Sequence, residues 1–461
     1  MPRPASHDGA WLQRCASFQA SHSFESAPRI LLLRPSNGLG NQLLNALSSI
    51  ILACLTRRHL FIEDPPSAGR RLHPAPQGAS FLSAVRLRWE HLRNATAPRA
   101  KYLGRGRWLP HGSREEAHVL DLTAAGNATN HVNLVCGEYT SSLAVPDSAR
   151  TLLIVGETYF LKALLANPFL RKRRLQPKGS GAADFASVCP NEQLDRCFQT
   201  LFEYFFSFRA DVRERERKME FEFSQVPCAV GIHMRSGGTI SSRGLAVGAQ
   251  RFAHCAHQLL PKAQSRTTYA PLIHLATGTE DARVAFQKEL GATRQALLLR
   301  YVRSSSSGHR ESPYFEWREV LNSWGPALPK YAAEQMVSAA ADLLALSGCK
   351  VIIGTRHSTF SYVAQALGSR RQARIYDEID GHHGDARHST ASGPNETTSC
   401  RLYEFTQPAY HAWARYAAVR RKLPSACAAE LKQKPTPSFD LRELRAARVF
   451  ATEAALPFDS Q

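Results

Sequence analysis

Arg29-Ile30-Leu31-Leu32-Leu33-Arg34-Pro35-Ser36-Asn37-Gly38-Leu39-Gly40-Asn41-Gln42 is the stretch on which the fold reading turns. Arg29 to Arg34 is a short apolar run, and Pro35 to Gly38 breaks it, which predicts a buried strand and a turn. From Asn41 to Thr56 the apolar residues Leu43, Leu47, Ile50 and Cys54 follow helical spacing. His59 to Glu63 (HLFIE) is a second strand candidate. Strand, turn, helix and strand in this order predict a βαβ unit and hence a parallel sheet.

A second series of the same kind starts at Cys228. Strands are expected at Ala229–His233, Leu272–Thr277, Leu297–Val302, Val351–Gly354 and Ala373–Tyr376. Helices are expected at Arg251–Leu260, Glu280–Leu290, Tyr331–Ser347 and Ser358–Leu367. Between the two series lie a short strand at Leu152–Val155, a helix at Tyr159–Ala166, an exposed stretch at Arg171–Ala186, and a long helical stretch from Leu194 to Met219. The expected architecture is α/β, with two Rossmann-like lobes facing each other across a cleft. The expected divisions are a polar N-terminal tail (1–28), an N-terminal lobe (29–220), a C-terminal lobe (226–400) and a helical, basic tail (401–461).

Composition bounds the rest. The chain has 461 residues, enough for two or three domains, and 43% hydrophobic and 21% charged residues are ordinary globular values. A net charge of +19 fits an anionic partner without choosing one. The basic runs Arg171–Arg174, Arg213–Lys218 and Arg415–Lys422 hold a single aromatic, Tyr416, and no nucleic-acid motif, so no nucleic-acid partner is expected. No long apolar segment marks a signal peptide in Met1–Pro28. The longest uncharged stretch, Pro35 to Thr56, carries too many Asn, Gln, Gly and Ser residues for a membrane span. Ten cysteines contain no Cys-x-x-Cys pair, which excludes a zinc ribbon or thioredoxin motif. The sequons at Asn94, Asn127 and Asn395 permit a secretory lumen; buried free thiols in a cytosolic protein are the plainer alternative.

Three segments are shaped for chemistry. Gly38-Leu39-Gly40-Asn41 is a Gly-rich turn before a helix, where backbone can approach a ligand and helix N–H groups can meet an anion. It is neither a dinucleotide fingerprint nor a phosphate-binding loop of the G-x-x-x-x-G-K type. Gly231-Ile232-His233-Met234-Arg235 ends a predicted strand, where a guanidinium can clamp a diphosphate through two parallel hydrogen bonds. Thr355-Arg356-His357-Ser358-Thr359-Phe360 follows a strand and opens a helix, with Ser358 or Thr359 a natural N-cap. Each has a plain structural reading as well: a tight turn, a surface ion pair, a simple cap. Asp342, in the helix before, is expected to orient Arg235 or Arg356, or else to be exposed. His382, His383 and His388 lie in a Gly- and Ser-rich loop, and no Asp-x-Asp occurs, so no metal is expected.

Taken in order, these segments resemble the plant xyloglucan fucosyltransferases. Gly38-Leu39-Gly40-Asn41-Gln42 with His59 to Asp64 resembles their G-x-G-N-R…L-L-V-D opening. Val230 to Arg235 resembles their I-G-x-Q-x-R and the H-x-R of other fucosyltransferases. Ser358-Thr359-Phe360-Ser361-Tyr362-Val363-Ala364-Gln365-Ala366-Leu367-Gly368 is similar to S-T-F-G-Y-V-A-Q-G-L-G almost throughout. The likeness covers about Arg29 to Tyr410. It implies a GT-B fold and an inverting, metal-independent transfer of fucose from GDP-fucose to a glycan, usually in the Golgi lumen. Under it, His233, Arg235, Asp342, Arg356, Ser358, Thr359 and Phe360 bind the donor, with Arg235 on the β-phosphate. Gly38, Gly40, Asn41 and Gln42 line the cleft. Gln42 departs from the plant Arg, and Ser236-Gly237-Gly238 stands where an acidic residue is found nearby. The general base is therefore open among Glu63, Asp64, Glu138 and Glu157. The alternatives are a non-catalytic sugar-nucleotide or glycan binder on the same scaffold, and a protein O-fucosyltransferase.

Overall fold

The computed structural model describes residues 8–35, 38–63, 67–68, 73–74, 80–88, 96–97, 100–104, 107–110, 113–122, 149–156, 160, 161, 164, 194–222, 228–234, 242–263, 272–277, 280–292, 328–354, 358–368, 374–377 and 401–402. Two five-stranded sheets dominate these residues. The strand and loop expected at 297–312, the loop at 380–399 and the basic tail from 407 fall outside them, as do the three sequon asparagines.

The first sheet is built from β1 (Ile30–Pro35), β2 (His59–Glu63), β3 (His118–Leu122) and β4 (Thr151–Gly156), with Thr96–Ala97 at one edge. Its order is 96–97, β2, β1, β4, β3, and every pairing is parallel. β1 is buried at all six positions, as a parallel strand covered on both faces must be. Leu31 and Leu33 face the helix α2 (Leu39–Leu55), while Ile30 and Leu32 pack with Phe61, Trp108, Leu153 and Val155 on the other side.

The second sheet holds β5 (Cys228–Met234), β6 (Leu272–Thr277), β7 (Val351–Gly354) and β8 (Arg374–Asp377), ordered β6, β5, β7, β8 and parallel, with Arg401–Leu402 added antiparallel. Helices α5 (Ser242–Ala263) and α6 (Glu280–Ala292) follow β5 and β6; α7 (Leu328–Ser347) and α8 (Thr359–Leu367) flank β7. Gly231 lets α7 lie close on β5: a Cβ there would stand 2.9 Å from Leu346 Cδ2. The α/β class read from the sequence is therefore found. The two sheets share one core, in which Leu33, Leu43 and Leu47 join Leu343, Ile352 and Val363.

In the second sheet the chain reverses direction once; in the first it runs from β1 through β2 to 96–97, crosses to the far edge as β3 and turns back to β4. From β1 it crosses to β2, and β4 lies on the other side of β1; from β5 it crosses to β6, and β7 lies on the other side of β5. The reversal in the second sheet, between β5 and β7, is the point at whose carboxyl ends an open α/β sheet is expected to bind a ligand.

Two expectations are corrected. The first 28 residues are not simply a polar tail: α1 (Asp8–Gln19) buries Trp11, Leu12 and Cys15. Cys15 is joined to Cys54 of α2. The long helix over Leu194–Met219 is two helices, α3 (Leu194–Phe205) and α4 (Ala210–Glu222). Between them Phe206–Phe208 pairs antiparallel with Val85–Leu87. Phe206 and Phe208 are buried and Ser207 is not, so a two-residue period wins locally.

A second disulfide, Cys228–Cys349, ties the start of β5 to the residue pair before β7. Among the described residues no cysteine is free. Cys228→Ser/Cys349→Ser is expected to lower unfolding free energy by about 2–5 kcal/mol. Urea titration checks this, and reductant should then have less effect on the variant than on the parent chain.

Candidate functional site

α2 begins at Leu39, with Gly38 as its extended N-cap residue and no side chain capping it. Its first backbone bond runs from the Gln42 N–H to the Gly38 carbonyl at 3.0 Å. The N–H groups of Leu39, Gly40 and Asn41 thus have no acceptor within the helix. α8 repeats the arrangement. Ser358 occupies the N-cap position, as the sequence predicts, yet its hydroxyl makes no capping bond. The first bond runs from the Tyr362 N–H to the Ser358 carbonyl at 3.4 Å.

These two helix starts meet. A Cβ on Gly40 would stand 2.8 Å from the Phe360 nitrogen and 2.9 Å from the Thr359 carbonyl oxygen. Only glycine allows that approach, and it is backbone on both sides. Two positive helix ends so close repel one another unless negative charge lies between or beside them. The juxtaposition also brings the chain after β1 next to the chain after β7, since α2 follows β1 and α8 follows β7.

β5 supplies the third element. His233, next to last in the strand, lies with its ring centroid 4.7 Å from that of Phe360. Its Nδ1 is 2.8 Å from the Ser361 hydroxyl, an assignment of donor and acceptor that follows the imidazole tautomer. Ser361 is a residue that sequence reasoning quoted without selecting. Its signal was its place one turn-step past Thr359 and Phe360, on a helix start that faces a strand end.

The structure therefore brings Gly40, flanked in sequence by Gly38 and Asn41, against Thr359 and Phe360 just after Ser358, with His233 beside Phe360. Arg235 and Arg356 lie outside the described residues. Two other expectations change. Gln42, read as lining a cleft, is 1% exposed, and its Oε1 accepts a hydrogen bond from the Phe81 N–H at 2.8 Å; it braces the chain at Phe81. Glu63, a candidate base, is fully buried and bound to Arg34, which removes it from proton transfer with a substrate. Asp64, Glu138 and Glu157 lie outside the described residues. Among the described residues no cluster of His, Cys, Asp and Glu is arranged to hold a metal ion.

Asp342, read as a donor-binding residue, sits on α7 with its Oδ1 3.7 Å from Nε2 of His274 on β6. His274 is 3% exposed, and burial depresses its pKa to about 4. Desolvation outweighs the attraction of the nearby carboxylate, so the imidazole is neutral at pH 7. Between about 4 and 6.5 the unfolded chain binds a proton that the native chain refuses. Stability is accordingly expected to fall as pH drops through that window, by on the order of 3 kcal/mol. Urea midpoints at pH 7 and 4.5 check the slope, which His274→Gln should flatten.

No known family profile matches the chain, and no characterised protein matches it by sequence. Solved structures do. A point mutant of Arabidopsis thaliana FUT1 in complex with GDP matches with a TM-score of 0.50 at 14% identity, over 82% of this chain and 79% of that one. NodZ, an α-1,6-fucosyltransferase from Bradyrhizobium co-crystallised with GDP, matches at 0.42 and 15% identity, over 76% and 94%. POFUT1 in complex with GDP matches at 0.34 and 10% identity, over 76% and 98%. The first of these establishes a shared fold with a fucosyltransferase. No described helix is long and apolar enough to cross a membrane.

Proposed function

We propose that the chain is an inverting glycosyltransferase that moves fucose from GDP-fucose to a glycan hydroxyl. The observation that carries this reading is the backbone contact of Gly40 with Thr359 and Phe360, where two uncapped helix starts converge beside His233. Its support from outside is the fold, shared with a GDP-bound fucosyltransferase.

In this reading the two sheets form two lobes with the donor in the cleft between them. The pyrophosphate lies against the N–H groups of α8, with Gly38, Gly40 and Asn41 approaching from α2. Arg235, one residue beyond β5, grips the β-phosphate. The acceptor oxygen attacks the anomeric carbon of fucose as the bond to the diphosphate breaks on the opposite face, and its proton passes to a base. Negative charge grows on the departing GDP, where fixed N–H donors and a guanidinium stabilise it most; one such donor is worth ~3–4 kcal/mol. No metal is required, because these groups supply the positive charge. Disulfides at Cys15–Cys54 and Cys228–Cys349 suit an oxidising lumen such as the Golgi.

The second reading, a sugar-nucleotide binder without turnover, is favoured by the loss of Glu63 as a base. The test is thermal unfolding of the purified chain with GDP-, UDP- and CMP-sugars. At a hundred times Kd a ligand adds about 2.7 kcal/mol, a readily measured rise in Tm. Stabilisation by the GDP-sugar alone supports the donor, and stabilisation by UDP alone overturns it. Release of GDP from GDP-fucose then separates an enzyme from a binder.

A further inference from the structure

Arg34 and Glu63 stand at or next to the carboxyl ends of β1 and β2, at the edge from which the turn into α2 departs. Both side chains are fully buried. Arg34 Nε pairs with Glu63 Oε2, and Nη2 donates to Glu63 Oε1 at 2.8 Å and to the Ala100 carbonyl at 3.2 Å. The Ala100 N–H donates back to Glu63 Oε1 at 2.8 Å. Trp108 covers the guanidinium, its ring centroid 3.9 Å from Cζ. The remaining nitrogen, Nη1, is buried with no hydrogen-bond partner.

Stability alone does not account for this arrangement. Two charges taken out of water, with one N–H left unsatisfied, gain little over an apolar pair of the same volume. What the pair does supply is a fixed planar fork. That fork locks three separate stretches together: β1, β2 and the chain at Ala100. Arg34 is followed at once by Pro35, and only two residues separate Pro35 from Gly38, the N-cap of α2, so Arg34 is tethered close to the start of α2.

We propose that Arg34 and Glu63 are a positioning pair, which holds the turn into α2 so that Gly38, Gly40 and Asn41 stand at the donor site. This deepens the donor-site reading above and rests on it. Neither side chain touches substrate; the pair acts through the turn. Its removal loosens the start of α2 without unfolding the chain.

The test compares wild type, Arg34→Lys and the apolar double variant Arg34→Met/Glu63→Leu. Three readouts are taken: Tm, GDP affinity by calorimetry, and amide hydrogen exchange in the peptide spanning Gly38–Leu44. The double variant is expected to unfold near the wild-type Tm, to exchange faster in that peptide, and to bind GDP about tenfold more weakly. Arg34→Lys keeps the charge and loses the fork, so it should move exchange and affinity in the same direction by less. Wild-type exchange across Gly38–Leu44 in the folded double variant overturns the proposal. If the double variant does not fold, wild-type exchange in Arg34→Lys overturns it instead. Failure of wild type to bind GDP would sink the donor reading alone, and the exchange data would still decide the pair.

Discussion

Gly40→Ala is expected to abolish the response of the chain to GDP while leaving it folded. The added methyl would lie 2.8 Å from the Phe360 nitrogen and from the Thr359 carbonyl carbon. Both are main-chain atoms of a helix start, so no side-chain rotation relieves the clash; α2 and α8 must separate. Overpacking of this kind costs about 1–3 kcal/mol. The larger effect falls on binding, since an ångström of misplacement in a preorganised site is worth on the order of a hundredfold. Gly248→Ala is the matched control. Gly248 lies in α5, and a Cβ there meets nothing within 4 Å. That variant is expected to gain about 0.5–1 kcal/mol and to bind GDP as wild type does. Thermal unfolding of the three proteins with and without GDP checks both outcomes. Equal GDP responses in Gly40→Ala and Gly248→Ala would detach the meeting of the helices from ligand binding.

Arg235→Ala is expected to lower GDP release from GDP-fucose by about 10²–10³-fold, the scale for losing one strong donor to a developing anion. Its far-ultraviolet circular dichroism should match wild type, because Arg235 follows the last residue of β5, Met234, in sequence. Arg235→Lys restores the charge but not the two parallel bonds of a guanidinium, and should recover only a fraction of the rate. Turnover at the wild-type rate in Arg235→Ala would refute the assigned role.

What the sequence revealed and what it concealed divide along physical lines. β1, α2 and β2 were legible because each announces itself locally, through an unbroken apolar run, a helical period and a Gly-rich break. α8 was legible for the same reason, with Ser358 at its cap position. α1 was hidden because few of its described residues are buried, Trp11, Leu12, Cys15 and the polar Gln19, and they are too sparse to set a helical apolar period. The break at Phe206–Phe208 was hidden because aromatic residues satisfy both periods, and the choice is made by a partner strand more than a hundred residues away in sequence. The site divides likewise. Glycine at 40 was read as freedom for a ligand to approach, whereas its first use is to admit another helix. Glu63 read as a possible base because position near a strand end carries no information about Arg34. Gln42 read as lining a cleft because nothing local reports the Phe81 N–H that it holds.

The burial of α1 bears on where the chain can be cut. Its polarity invites trimming to Arg29, but that cut would remove more than Trp11, Leu12 and the partner of Cys54. Gln19 Nε2 donates to the Arg58 carbonyl at 2.8 Å, and the Leu60 N–H donates to Gln19 Oε1 at 2.7 Å. A shortened recombinant protein would therefore start life with a bare apolar strip, two orphaned main-chain groups and a thiol ready to cross-link with its neighbours, and would be recovered as covalent dimers and aggregate.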